Sequence, residues 1–169
     1  MRLLVLAALV AFAPLATRAE TPWDLAKKTA GKAGTGKLEK EINKRLLDES
    51  RKNQCSFKSG TDELEKGCDT KAHRLAKALI DAKKKLNASG VQNFKFVVSG
   101  HTDTTGSAEQ NKALSAKRAA VMVRQLVAKG VPESDIESVG MGAERPLVKP
   151  DDTPAKKARN RRYEVRVKL

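Results

Sequence analysis

Apolar positions along the chain change their spacing several times, and each change marks an element. The N-terminus opens on an unbroken apolar run, Leu3 to Ala16, with Arg2 before it and Thr17-Arg18-Ala19 after it. A positive start, an apolar middle and small residues at the end predict a secretory signal peptide over residues 1–19, cut after Ala19 rather than Ala16. The alternative, a membrane anchor, usually takes about 18 or more apolar residues. Glu20 to Lys37, rich in Gly, Ala, Thr and Lys, predicts a flexible basic linker. Leu38, Ile42 and Leu46 then recur at helical spacing and predict a short amphipathic helix over 38–51, with Glu41 and Arg45 spaced for an ion pair. Its apolar stripe has two uses: packing on the domain, or receiving a membrane or partner.

Cys55 to Lys58 predicts a short strand ended by Ser59-Gly60. Asp69 is placed to cap a helix whose apolar face is Ala72, Leu75, Ala76, Leu79, Ile80 and Leu86. Asn87 to Gly90 stops it. Phe94 to Ser99 (FKFVVS) is short, apolar and aromatic, as a buried strand requires. Ser107 and Gln110 form a capping box for the next helix, which carries Leu114, Val121, Met122, Leu126 and Val127 and ends at Gly130. Ile136 to Met141 predicts another strand, and Glu144 to Ala158, with three prolines, a polar loop. At the end Tyr163, Val165, Val167 and Leu169 alternate with Glu164, Arg166 and Lys168, the period of a strand with one wet face. Strands alternating with helices predict a two-layer α/β (α+β) sandwich, a mixed sheet with helices packed on one face.

Composition narrows the partners. The chain has a net charge of +14, which favours polyanions. Export removes most of the case for nucleic acid, and only 4% of residues are aromatic, too few for stacking platforms. The two cysteines, Cys55 and Cys68, suggest one structural disulfide in an oxidising compartment, with free thiols the alternative. Neither lies directly after the signal, so no lipid anchor is expected, and no integral span remains after signal cleavage. No cluster of metal ligands is visible and no cofactor is implied.

The loop after FKFVVS, Gly100-His101-Thr102-Asp103-Thr104-Thr105-Gly106, is glycine-bounded, so backbone can approach a ligand there. Asp103 suits an ammonium group and Arg118, on the following helix, a carboxylate. Arg118 is expected to lean back over the loop toward a ligand on Asp103. From spacing alone, direct pairing of Asp103 with Arg118 stands equally open.

The segment from Gly100 to Pro146 carries a GHTD turn, an N-x-x-L-S-x-x-R-A helix and a G-M-G-x-x-x-P loop. Asn160-Arg161-Arg162-Tyr163-Glu164 then closes the chain. In this order the motifs resemble the OmpA C-terminal domain family, shared with MotB and the Pal lipoproteins, over residues 53–169. The resemblance implies non-covalent binding of peptidoglycan at the diaminopimelate residue of its stem peptide. Asp103 and Arg118 would receive its amino-acid end, with Asn111, Thr105 and Arg161 as further contacts. It implies a location in the periplasm or cell envelope of a Gram-negative-type bacterium, with association to the outer membrane as a further expectation. Departures from the family pattern are Gln110 in place of an aromatic, Lys117 in place of a frequent Arg, and Tyr163 in place of Val.

Two other classes stay in view. An enzyme would need His101 and Asp103 to cooperate, but no nucleophile–base–orienter trio can be assembled around them, so no catalysis is expected. An adaptor would bind an anionic polymer through Lys156, Lys157, Arg159, Arg161, Arg162 and Arg166, or a protein partner through residues 20–51.

Overall fold

The computed structural model describes residues 22–58 and 60–169, with side chains from residue 34 onward. The expected signal segment 1–19 lies outside the described residues. Helix α1 spans Pro22–Lys52 and α2 spans Cys68–Ala88. Strand β1 (Lys95–His101) is followed by α3 (Ala108–Ala128), β2 (Ile136–Gly140), α4 (Pro154–Asn160) and β3 (Arg162–Lys168). The sheet runs β2-β1-β3, with β1 parallel to β2 and antiparallel to β3. The chain is thus the expected two-layer α/β sandwich with a mixed sheet, its helices against one face.

Period-two alternation decides that face. Phe96, Val98 and Gly100 of β1 stand opposite Val167, Val165 and Tyr163 of β3, and all these positions are buried under the helices. From below, α2 contributes Leu75, Leu79 and Leu86, and α3 contributes Met122 and Leu126, each fully buried. The helix α3 lies close on the sheet because Gly100 and Gly140 lack side chains. A Cβ on Gly140 would meet Lys112 O and Ala116 N at 2.6 Å, and one on Gly100 would meet Ser115 O at 2.2 Å.

The apolar stripe of α1 packs on the domain: Ile42 and Leu46 are buried, and Leu38 packs against the core. The same helix covers the outer edge of β3. Asn43 donates to Val167 O and accepts from Val167 N, while Gln54, just beyond the helix end, does the same for Tyr163. Two side-chain amides thereby stand in for a neighbouring strand, leaving that edge closed to further pairing.

Several expectations are corrected. The helix begins at Pro22, so the glycine- and lysine-rich segment taken as a linker continues it. Weak intrinsic helix formers are tolerated there in a helix nucleated by its packed C-terminal half. Glu41 and Arg45 pair with Lys85 and Asp81 of the neighbouring α2 rather than with each other. Gly67, in the left-handed conformation, precedes α2, and Asp69 sits in its first turn as the partner of Lys129. Cys55 to Lys58 makes only a single bridge, Phe57 to Leu64, in a hairpin. Leu169 at the chain end is exposed. Glu164 faces away from the helices yet is buried, because Arg162 and Arg166 close over it at 2.8 and 3.3 Å. The polar loop from Glu144 contains α4, whose start is capped by the Thr153 side chain with Pro154 at the first position.

Candidate functional site

The C-terminal end of β1 delivers the candidate loop. Thr102 N donates to Gly142 O and Met141 N to Gly100 O, so the Gly-Met-Gly turn after β2 buttresses it. Gly142 N in turn donates to the Ser115 hydroxyl of α3. The predicted capping box is present at Ser107 and Gln110, and fixes where α3 begins. Asn111, in the first turn of that helix, donates to Thr105 O at 3.0 Å and holds the loop in register.

Asp103 is nearly buried. Its Oδ1 accepts from Thr105 N at 3.0 Å and its Oδ2 from Arg161 Nη1 at 2.7 Å. Burial alone would raise its pKa, but the hydrogen bonds from Arg161 and Thr105 outweigh it and hold the carboxyl below its ordinary range. Arg118 does not pair with Asp103. Its guanidinium donates from Nε to Thr61 O at 2.9 Å and from Nη2 to Lys58 O at 3.4 Å, and lies 5.1 Å from the Phe57 ring centroid. The hairpin 57–64 therefore aims this cation, a role the sequence did not reveal. Burial and the neighbouring Arg161 both press its pKa below the ordinary value.

The Cys55–Cys68 disulfide closes the base of that hairpin. Cys55 N donates to the Tyr163 hydroxyl, which itself donates to Asn53 O. Burial pushes the Tyr163 phenol up to about 12, so it remains a neutral donor. The staple thus ties the segment that aims Arg118 to both α2 and β3.

A second pair of residues escaped the sequence reading. Asp151 accepts from Thr104 N at 3.0 Å, from the Thr104 hydroxyl, and from Asn160 Nδ2 at 3.0 Å. Those donors hold its carboxyl down at about 2. Asn160 is wholly buried and also accepts from Leu147 N and Val148 N and donates to Val148 O. Together they clamp the Asp103 loop to the proline-rich segment and place Arg161 beside Asp103.

These elements enclose a cavity of ≈ 710 Å³, within the size range of small-molecule sites. Asp103, Arg118, Asn111, Thr105 and Arg161 all line it. His101 and Thr102 also reach its wall, but both are buried. His101 Nε2 lies 3.3 Å from the Ser99 hydroxyl, and burial, with Arg162 nearby, lowers its pKa to about 4. It is therefore a neutral structural group at pH 7, with no bond to Asp103. Among the described residues no group of three His, Cys, Asp or Glu side chains could hold a metal.

A model of the OmpA family matches residues 56–161. The peptidoglycan-binding protein ArfA of Mycobacterium tuberculosis is 41% identical over 71 residues, 42% of this chain and 22% of that protein. The peptidoglycan-associated lipoprotein of Pseudomonas aeruginosa is 40% identical over 83 residues, 49% of this chain and 47% of that one. The chain thus spans less than half the length of these relatives. The crystal structure of the peptidoglycan-associated lipoprotein from Burkholderia pseudomallei superposes with a TM-score of 0.55 at 25% identity, covering 68% of this chain and 89% of that one. The C-terminal domain of Helicobacter pylori MotB gives 0.56 at 23% identity over 69% and 84%, a likeness of fold alone.

Proposed function

The chain belongs to the OmpA family, and from that premise we propose that it is an exported cell-envelope protein that binds peptidoglycan non-covalently. The ligand group is the diaminopimelate residue of the stem peptide. Its ammonium is accepted by Asp103 and its adjacent carboxylate is gripped by Arg118. Asn111 and Thr105 hold and line the loop, and Arg161 keeps Asp103 ionised and oriented. The family is not enzymatic, and neither is this chain.

One observation carries this reading. Asp103 and Arg118 line one cavity without bonding to each other. Among the described residues Arg118 has only neutral carbonyls as hydrogen-bond acceptors, so its charge is available to a carboxylate. Asp103 uses one acceptor position on each oxygen and retains others for an ammonium. Each charge-assisted hydrogen bond made in such a site contributes roughly 1.5–3 kcal/mol.

The competing polymer-binding reading is weakened by pairing within the C-terminal basic run. Lys156 is engaged by Asp152, Arg161 by Asp103, and Arg162 and Arg166 by Glu164. Within residues 34–51 a protein partner would meet the exposed face of α1, around Lys40, Lys44 and Asp48, because Ile42 and Leu46 are covered. Among the described residues no helix is long and apolar enough to cross a membrane.

Co-sedimentation with purified sacculi tests the proposal. The wild-type protein pellets with the wall, while Asp103→Ala and Arg118→Ala stay in the supernatant with unchanged circular dichroism. Pelleting of both variants at the wild-type level would refute the assignment.

A further inference from the structure

The cavity holds more positive charge than a single zwitterion can use. Four cationic side chains line it: Arg118, Lys157, Arg161 and Arg162. Two are already neutralised, Arg161 by Asp103 and Arg162 by Glu164. Among the described residues the Arg118 guanidinium bonds only the carbonyls of Thr61 and Lys58 and rests on the Phe57 ring, with no carboxylate partner. Lys157 is half-buried at the wall, and its ammonium has no hydrogen-bond or ion-pair partner among the described residues. The remaining lining carboxylate, Glu65, is exposed.

The two free cations stand on different elements of the cavity wall, Arg118 on α3 and Lys157 on α4. Arg118 is held by the hairpin. Lys157 sits on α4 one turn before Arg161, whose N donates to Lys157 O at 3.0 Å. Arg161 caps the C-terminus of α4, and both it and Lys157 line the cavity. Arg161 bonds Asp103 through Nη1. Arg161 thus bonds the loop carboxylate, Lys157 stands one turn before it on α4, and Arg118 is held by the hairpin. A volume of ≈ 710 Å³ leaves room for more than one amino-acid residue.

We propose that the cavity is built for a ligand with two carboxylates beside its ammonium group, Arg118 taking the first and Lys157, with Arg161 behind it, the second. This rests on the wall-binding reading above and deepens it to a specificity: the site distinguishes stem peptides with free carboxylates from those amidated at the second position. Lys157 is the residue that reads the difference. An ammonium at a half-exposed wall loses its preference when that carboxylate becomes a neutral amide, whereas the Arg118 contact is untouched.

The test uses the full chain and four synthetic probes in calorimetry. They are the tripeptide L-Ala-γ-D-Glu-meso-diaminopimelate and its three single amides, one on each carboxylate. One amide, on the carboxylate gripped by Arg118, is expected to bind hardly at all. Another is expected to bind about fivefold more weakly than the parent, the scale of a partly exposed ion pair. In Lys157→Met that second ratio falls to near one, and in the wild type it shrinks as salt is raised. If every amide keeps in Lys157→Met the ratio it shows in the wild type, the proposal is overturned. If the wild-type protein binds none of the four probes, the diaminopimelate reading itself fails, which is a separate result.

Discussion

Asn160 offers the sharpest test of how the site is held. The side chain is fully buried in the residue before Arg161 and makes four hydrogen bonds. Replacing it by Ala leaves Leu147 N, Val148 N and Val148 O without those partners, and frees one acceptor position on Asp151. A buried backbone group without a partner costs about 1–3 kcal/mol. Leu147 is itself exposed, so water reaches part of this segment and offsets some of the loss. The expected destabilisation is about 3 kcal/mol, read as a lower urea midpoint by far-ultraviolet circular dichroism. The consequence for the site separates this from an ordinary core defect. Without Asn160 the Asp151–Thr104 clamp loosens, Arg161 drifts from Asp103, and sacculus binding weakens even under conditions where the variant is fully folded. Asn160→Asp keeps an acceptor for the two amides but places a carboxylate beside Asp151, so its stability deficit grows between pH 4 and pH 7. A loss below about 1 kcal/mol for Asn160→Ala, with wall binding unchanged, would refute the clamp.

Three further outcomes follow from the packing and the titration states. Gly140→Ala sets a Cβ against helix backbone at 2.6 Å, and since neither atom is a flexible end, α3 must lift from β2 at a cost of about 3 kcal/mol; a melting temperature equal to wild type would contradict that close approach. Removing the staple as Cys55→Ala with Cys68→Ala lowers stability by about 3 kcal/mol, and weakens wall binding more than Cys-independent destabilisation by a distant core mutation does, because the hairpin aims Arg118. His101 is held neutral down to about 4, against 6.5 for free imidazole. The unfolded chain therefore takes up a proton that the folded chain refuses, and stability falls as pH drops through that window. His101→Gln flattens this part of the pH–stability curve, whereas an unchanged slope would show that another group is responsible.

Local pattern made much of the fold legible. The FKFVVS run, the alternation from Tyr163 to Val167 and the Ser107–Gln110 box each express short-range physics that the tertiary structure respects. The disulfide was legible as well, and Asp103, Asn111, Thr105, Arg118 and Arg161, singled out from the motifs, all line one cavity. What stayed hidden depends on distant neighbours. Direct pairing of Arg118 with Asp103 stood open because only their spacing was visible; the hairpin that holds Arg118 instead lies 57 and 60 residues away at its two carbonyls. Glu164 sits in the wet register of its strand, yet flanking arginines bury it. Asp151 resembled an ordinary loop polar and Asn160 only the start of the closing motif, and only folding shows that their bonds converge. Helix α4 was masked by the prolines around it, one of which opens it.

The central claim is that Asp103 and Arg118 divide the two charged ends of one wall amino acid between them. A crystal structure of the protein soaked with L-Ala-γ-D-Glu-meso-diaminopimelate tests it most directly. The expected result is the diaminopimelate ammonium within hydrogen-bond distance of the Asp103 carboxylate, with the adjacent carboxylate on the Arg118 guanidinium. A tripeptide bound with its ammonium away from Asp103, or seated outside this cavity, would contradict it.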